Sequence, residues 1–229
     1  MIAHEEAAVF QDRADAGRRL AEALEQYLGK DVIVFGIPRG GVPVAIEVAE
    51  KLGAPLDVII PRKIPIPFNT EAGYGAVTEE GIVVLNEPLV SQLGLTKHQI
   101  DVQAEEVRAE IARRSAVYRA KLKAPAVEGK TAIIIDDGLA SGFTMAAAIK
   151  SVRQRKAAKI VVAVPVASGS AYDLVKPLAD EVVCLIIARV YRFAVASFYR
   201  RWYDLTEEEV LKYLDGWHRK HIAAAKQKR

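Results

Sequence analysis

The chain has 229 residues, 51% hydrophobic and 27% charged, a length and composition that suit a globular protein with a sizeable core. No apolar run approaches the ~18 residues needed to cross a bilayer, and a single cysteine rules out an intrachain disulfide. The net charge of +3 is concentrated in a tail: residues 218–229, "HRKHIAAAKQKR", hold five Lys/Arg and no acid, leaving residues 1–217 at −2. A nucleic-acid binder would carry a basic face on its folded body, so nucleic acid is not an expected partner.

The first residues, "MIAHEEAAVFQDRADAG", place acids where a secretory signal needs a basic start and an apolar run, so a cytoplasmic protein is expected. Residues 12–28 space Ala16, Leu20, Leu24 and Tyr27 along one helical face. "DVIVFGIP" (31–38) reads as a buried strand, "GVPVAIEVAEKLG" (41–53) as a helix closed by Gly53, and "PLDVIIP" (55–61) as a second strand. Strand, helix and strand with short connections predict a parallel sheet. "PRKIPIPFNTE" (61–71), with three prolines and no period, predicts a loop, and "GYGAVTEEGIVVL" (73–85) a hairpin turning at Glu80-Gly81.

A long helix is expected over 96–123. Thr96 and Gln99 form a capping-box pair, and Ile100, Ala104, Val107, Ile111, Tyr118 and Leu122 recur at helical spacing. Strand-like runs follow at 131–136, 159–166 and 181–187, separated by a helix at 143–154 and a weaker one near 170–178. Cys184, in "EVVCLII", reads as a core thiol. Thr206 and Glu209 open a C-terminal helix over about 206–225. The expected architecture is one α/β domain over residues 1–229, with a central, mostly parallel sheet flanked by helices.

"IIIDDGLASGFTM" (133–145) carries the chemistry. Asp136 and Asp137 end an apolar run, and a loop of small and hydroxyl residues leads into a helix. Ligands of open parallel sheets bind beyond the C-terminal strand ends, and a helix start offers free N–H groups to an anion. Carboxylates beside an anion nest suit a ligand with hydroxyls near a phosphate, such as a ribose 5-phosphate.

These residues resemble the phosphoribosyl-pyrophosphate motif of the type I phosphoribosyltransferases. "GIPRGGVPVA", the "RK" at 62–63 and the late "FAVASFY" (193–199) are similar to phosphoribosyltransferase-like proteins of bacteria and archaea. The resemblance implies a flexible loop or hairpin and a small hood at about 186–205. It also implies that Asp136 and Asp137 hold the ribose hydroxyls, and that Ala140, Ser141, Gly142, Phe143 and Thr144 cradle the 5-phosphate. Arg39, with the amides of Gly40 and Gly41, would grip the pyrophosphate, assisted by Lys63. The turn around Pro38-Arg39-Gly40 is expected to be distorted, with a cis peptide before Arg39, and residues 62–72 are expected to close over the ligand. In the hood, Phe193, Val195 and Tyr199 would meet a flat base.

The implied reaction transfers ribose 5-phosphate from phosphoribosyl pyrophosphate to a base, with Mg2+ held by the donor's oxygens rather than by protein ligands. In 6-oxopurine salvage enzymes an aspartate stands at the place of Ala140, and a lysine at the next strand end. "VAVPVASGS" (162–170) has no lysine, so hypoxanthine and guanine are not the expected acceptors. The alternative reading is a regulator that senses phosphoribosyl pyrophosphate or a nucleotide without turning it over. A homodimer built on the long helix is also implied. Asp137→Asn is expected to weaken ligand binding with little harm to the fold.

Overall fold

The computed structural model describes residues 9–67, 69–120 and 125–227. Its centre is a five-stranded sheet of β1 (Val32–Gly36), β2 (Leu56–Val58), β6 (Thr131–Ile135), β7 (Lys159–Ser168) and β8 (Glu181–Ala188), in the order β2-β1-β6-β7-β8. Every neighbouring pair is parallel. α1 (Arg13–Ala23) precedes β1, and α2 (Gly41–Leu52), α5 (Phe143–Gln154) and α6 (Gly169–Val175) run from β1 to β2, from β6 to β7 and from β7 to β8.

The strands are apolar on both faces because both are covered. Val32, Val34, Ile133 and Ile135 pack with Val44 and Val48 of α2. Ile33, Phe35 and Ile134 point the other way, onto Met145, Ile149 and Val152 of α5. This alternation fixes the register, since a slip of one residue would exchange the two cores. β1 and β6 are adjacent, but β1 continues to β2 on one side and β6 to β7 on the other. The chain therefore parts between Gly36 and Ile135, which are register partners at the C-terminal strand ends. Such a switch point is where an open α/β sheet leaves a crevice.

The proline-rich segment 61–71 departs from the sequence expectation. It is not a featureless loop but an antiparallel pair, β3 (Arg62–Ile66) with β4 (Asn69–Val77), extended by β5 (Val83–Leu85). β3 is an edge strand, where a missing N–H is tolerated, and the register shifts on either side of Pro65. Phe68 lies outside the described residues. The expected hairpin is present, but it turns one residue earlier, at Glu79-Glu80, where Gly81 N–H donates to the Thr78 carbonyl and Gly81 follows at φ 81°.

A short helix that the periodicity left unassigned, α3 (Glu87–Leu93), is capped by Asn86 and closed by Gly94 in the left-handed region. The long helix α4 (Lys97–Arg119) opens on the Thr96–Gln99 capping box. It buries Ile100, Ala104, Ile111 and Tyr118, and Val107 is half-buried. Leu122 lies outside the described residues. After β8 the chain forms a 3-10 turn, Val195–Phe198, and then α7 (Glu207–Gln227), whose start carries the reciprocal Thr206–Glu209 bonds. The hood segment is tied to the beginning of the chain: Phe10 N–H donates to the Phe198 carbonyl and Arg200 N–H to that of Phe10.

Candidate sugar-phosphate site

Two loops meet at the switch point. The loop after β1, Ile37–Pro38–Arg39–Gly40, contains a cis peptide between Pro38 and Arg39, as the sequence led one to expect. Ile37 N–H donates to the Ile135 carbonyl at 2.9 Å, which stitches this loop to the end of β6. The two glycines are required by contact. A Cβ on Gly40 would fall on the Asp137 carboxylate, and one on Gly41 would lie 2.6 Å from the Ile135 carbonyl oxygen and 2.9 Å from the Asp136 Cα. The Gly-Gly step thus lets the first loop lie directly against the acid pair.

Arg13, on the first turn of α1, is the principal partner of those acids. Its Nε donates to Asp137 Oδ2 at 2.8 Å and its Nη1 to the Tyr203 carbonyl at 2.9 Å. Its guanidinium lies 3.9 Å from the centre of the Trp202 ring. Tyr199 Oη donates to the Asp137 backbone carbonyl at 2.6 Å, and its ring packs between Phe10 and Trp202. Sequence reasoning missed Arg13, although the signal was present. It stands three residues before Ala16 and seven before Leu20, so an arginine occupies the apolar stripe of the first helix.

Burial pushes the Asp136 carboxyl well above its ordinary value, and the neighbouring charge of Asp137 pushes it further. Burial also raises Asp137, against the pull of Arg13. Asp136 Oδ1 accepts from Asp137 N–H at 2.8 Å. A carboxyl raised in the folded state favours the fold below the ordinary carboxyl range and disfavours it as pH climbs through the raised value. Ligand hydroxyls, as donors, favour the ionised acids, so binding should release a proton. We expect affinity for ribose 5-phosphate, taken relative to inorganic phosphate, to increase from mildly acidic to mildly alkaline pH. Calorimetry in buffers of different ionisation enthalpy would register the proton released.

The second loop runs from Gly138 into α5. Its shape is set by β7: Leu139 N–H donates to the Val166 carbonyl, Ser168 N–H to that of Leu139, and Ser168 Oγ to that of Ala140 at 2.8 Å. Gly142, at φ 80°, takes a left-handed turn that opens the helix without any side-chain cap, and no acid occupies its first turn. The first N–H groups of α5 are therefore free for an anion, and the helix dipole adds positive potential there. Ser141 is exposed beside them and Thr144 is half-exposed.

A cleft of about 600 Å³ continues from Thr144 past Arg39 to Arg62 and Lys63 on β3. It joins the loop that opens α5 to the two bases that the sequence singled out, and both Arg39 and Lys63 are exposed. On the other side of Ala140 lies a cavity of about 320 Å³ bounded by Ser168, Ser170, Tyr191 and Phe193. Of the three hood residues expected to meet a base, Phe193 lines this cavity, its ring tilted against Phe198 at 5.6 Å between centroids. Val195 instead packs on Gly138, where a Cβ would meet it at 2.6 Å. Tyr199 is buried beneath the acids rather than open to a base. Among the described residues no three His, Cys, Asp or Glu side chains converge on a metal position. Cys184 is half-buried, with its thiol pushed up to about 11 by burial.

A parallel sheet with paired acids at one strand end, a glycine-lined loop facing them and an uncapped helix start beyond defines an α/β protein with a candidate anion-binding crevice at the switch point of its sheet. Similarity to known proteins carries this one step further: residues 8–197 match the phosphoribosyl transferase domain, and the chain belongs to that family. Proteins described as candidate phosphoribosyl transferases in two Mycobacterium tuberculosis strains are each 42% identical over 211 residues, 92% of this chain and 47% of their own. The chain thus spans about half the length of these curated relatives. The crystal structure of TT1426 from Thermus thermophilus is 38% identical with a TM-score of 0.76, covering 91% of this chain and 99% of that one.

Proposed function

We propose that this protein transfers ribose 5-phosphate from phosphoribosyl pyrophosphate to a nitrogenous base. The base nitrogen forms a bond to the sugar C1 while the bond from C1 to the pyrophosphate oxygen breaks. The observation that carries the reading is the meeting of Asp136 and Asp137 with the Gly40-Gly41 loop, beside the uncapped start of α5. In this reading the acids accept from the ribose hydroxyls, while Ser141, Thr144 and the helix N–H groups hold the 5-phosphate. Arg39 and Lys63 balance the charge that develops on the leaving pyrophosphate.

Such a displacement, through a cation-like sugar, depends on positioning and charge stabilisation more than on a strong nucleophile. Magnesium, held by the donor's own oxygens, would neutralise part of the leaving group's charge. Ala140 and the absence of a lysine from 162–170 point away from 6-oxopurine acceptors. Homodimer formation through α4 and a cytoplasmic setting belong to the same proposal.

Phosphoribosyl pyrophosphate with magnesium, at ~100 times its dissociation constant, should add about 2.7 kcal/mol to stability, a shift visible in thermal unfolding. Ser141→Ala should weaken that binding by about 1.5–3 kcal/mol, the range for a hydrogen bond to a charged group. Pyrophosphate release is then followed over a panel of bases. Release with one of them supports the transferase, binding without release supports the sensing regulator, and no ligand shift at all refutes both.

A further inference from the structure

The cleft beyond Arg39 has a wall that the site as described does not use. It comes from α4, whose Glu110, Arg114 and Tyr118 face β3 across the opening. Tyr118 is completely buried, yet among the described residues its Oη has no hydrogen-bond partner, while the buried Arg114 Nε lies 3.8 Å from a Glu207 carboxylate oxygen, an ion pair too long for a hydrogen bond. Buried polar atoms are nearly always satisfied, so the Tyr118 hydroxyl on this cleft wall indicates that something else completes it.

Charge indicates what it is. Arg39, Arg62, Lys63 and Arg114 all line the cleft, and Glu110 is the one carboxylate among the described residues that line it. Glu110 is shared: Arg62 pairs with it from β3, and Arg114 Nη2 lies 2.9 Å from the same oxygen. Partial burial pushes the Glu110 carboxyl up, but Arg62 and Arg114 together hold it below its ordinary value. An anion of this protein's own thus sits between two guanidinium groups that border the loop that opens α5.

We infer that Arg114 and Tyr118 bind the diphosphate of the sugar-phosphate donor, and that Glu110 stands in for that diphosphate between Arg62 and Arg114 until it arrives. The inference rests on the transferase reading above and extends it to α4. The incoming diphosphate replaces Glu110 on the two arginines, and the Tyr118 hydroxyl donates to one of its oxygens. Glu110, released, turns to solvent at the cleft edge, where it is already partly exposed.

The test uses the full chain and two probes, magnesium pyrophosphate and ribose 5-phosphate, titrated by calorimetry. Tyr118→Phe removes only an unpartnered oxygen, so the fold should persist. It should weaken pyrophosphate binding about tenfold or more, while ribose 5-phosphate, held by the acids and the α5 loop, binds as in the wild type. Arg114→Gln should do the same, with Arg114→Lys as the substitute if the glutamine variant does not fold. Glu110→Gln should tighten pyrophosphate binding, because the competing carboxylate is gone; a merely structural Glu110 would not produce a gain. If the wild type binds both probes but Tyr118→Phe and Arg114→Gln leave pyrophosphate affinity unchanged, or weaken both probes equally, the inference is wrong and the transferase reading stands. If the wild type binds neither probe, both fall.

Discussion

Arg13→Met is expected to remove about 3–5 kcal/mol of stability at neutral pH, the range for stripping one partner from a buried ion pair. The side chains of Arg13 and Asp137 are only 9% and 13% exposed, so water cannot replace the lost contact. Methionine keeps much of the volume that packs on Trp202, so the loss reports charge rather than a cavity. Its pH dependence provides the check. Without Arg13, the carboxyl of Asp137 is raised further, and a raised carboxyl penalises the fold only where it must ionise. The deficit should therefore be full above the raised value and shrink as pH falls toward the unfolded carboxyl range. Denaturant unfolding of both proteins across that range measures this. A deficit independent of pH would show that packing, not charge, is what Arg13 supplies. The same pair bears on Asp137→Asn, from which the sequence led one to expect little harm to the fold: the substitution leaves Arg13 buried without its counter-charge, so a loss of stability is expected as well.

The second large effect is expected at the glycine step. In Gly41→Ala the new Cβ meets backbone, the Ile135 carbonyl at 2.6 Å and the Asp136 Cα at 2.9 Å, and neither can swing aside. The loop must lift away from β6. Overpacking of this kind costs about 1–3 kcal/mol, but the functional loss should be larger than the loss of stability. A displacement of about 1 Å between groups that must act together can reduce turnover on the order of a hundredfold. In Gly40→Ala the clash is with the Asp137 carboxylate itself, so binding of ribose 5-phosphate should fall together with turnover. Folding is monitored by thermal unfolding and binding by calorimetry. Gly41→Ala that folds and turns over like the wild type would mean that the two loops need not touch.

The sheet was largely legible from sequence, for a physical reason. Strands such as 131–135 and 159–166 are covered on both faces and so appear as unbroken apolar runs, and Gly53 stops its helix by its backbone conformation. The acid pair and the small-residue loop that leads into α5 stand out in the sequence because they are contiguous in the chain. What sequence could not show was which residues come to them from elsewhere. Arg13 is 124 positions from Asp137, and Tyr199 is 62. Periodicity reports how a segment meets its own neighbours and says nothing about which distant groups it faces. The 61–71 segment was misjudged because three prolines suggest a loop unless the strand is known to lie at an edge, and edges are decided by the whole sheet.

The distances along the chain between Arg13, Asp137 and Tyr199 have a consequence for dissecting the protein. A cut between α4 and β6 would leave one fragment with Arg13, the Gly40-Gly41 loop, Lys63 and the arginines of the cleft. The other would keep the two acids, the loop that opens α5 and the hood. The first fragment would hold most of the positive groups without the acid pair, and the second the acid pair without its counter-charge. β1 and β6 pair directly across that cut, and so do Phe10 and the hood. The two pieces therefore carry matching edges, and ligand recognition becomes a property of their reunion, which is the logic of a split reporter.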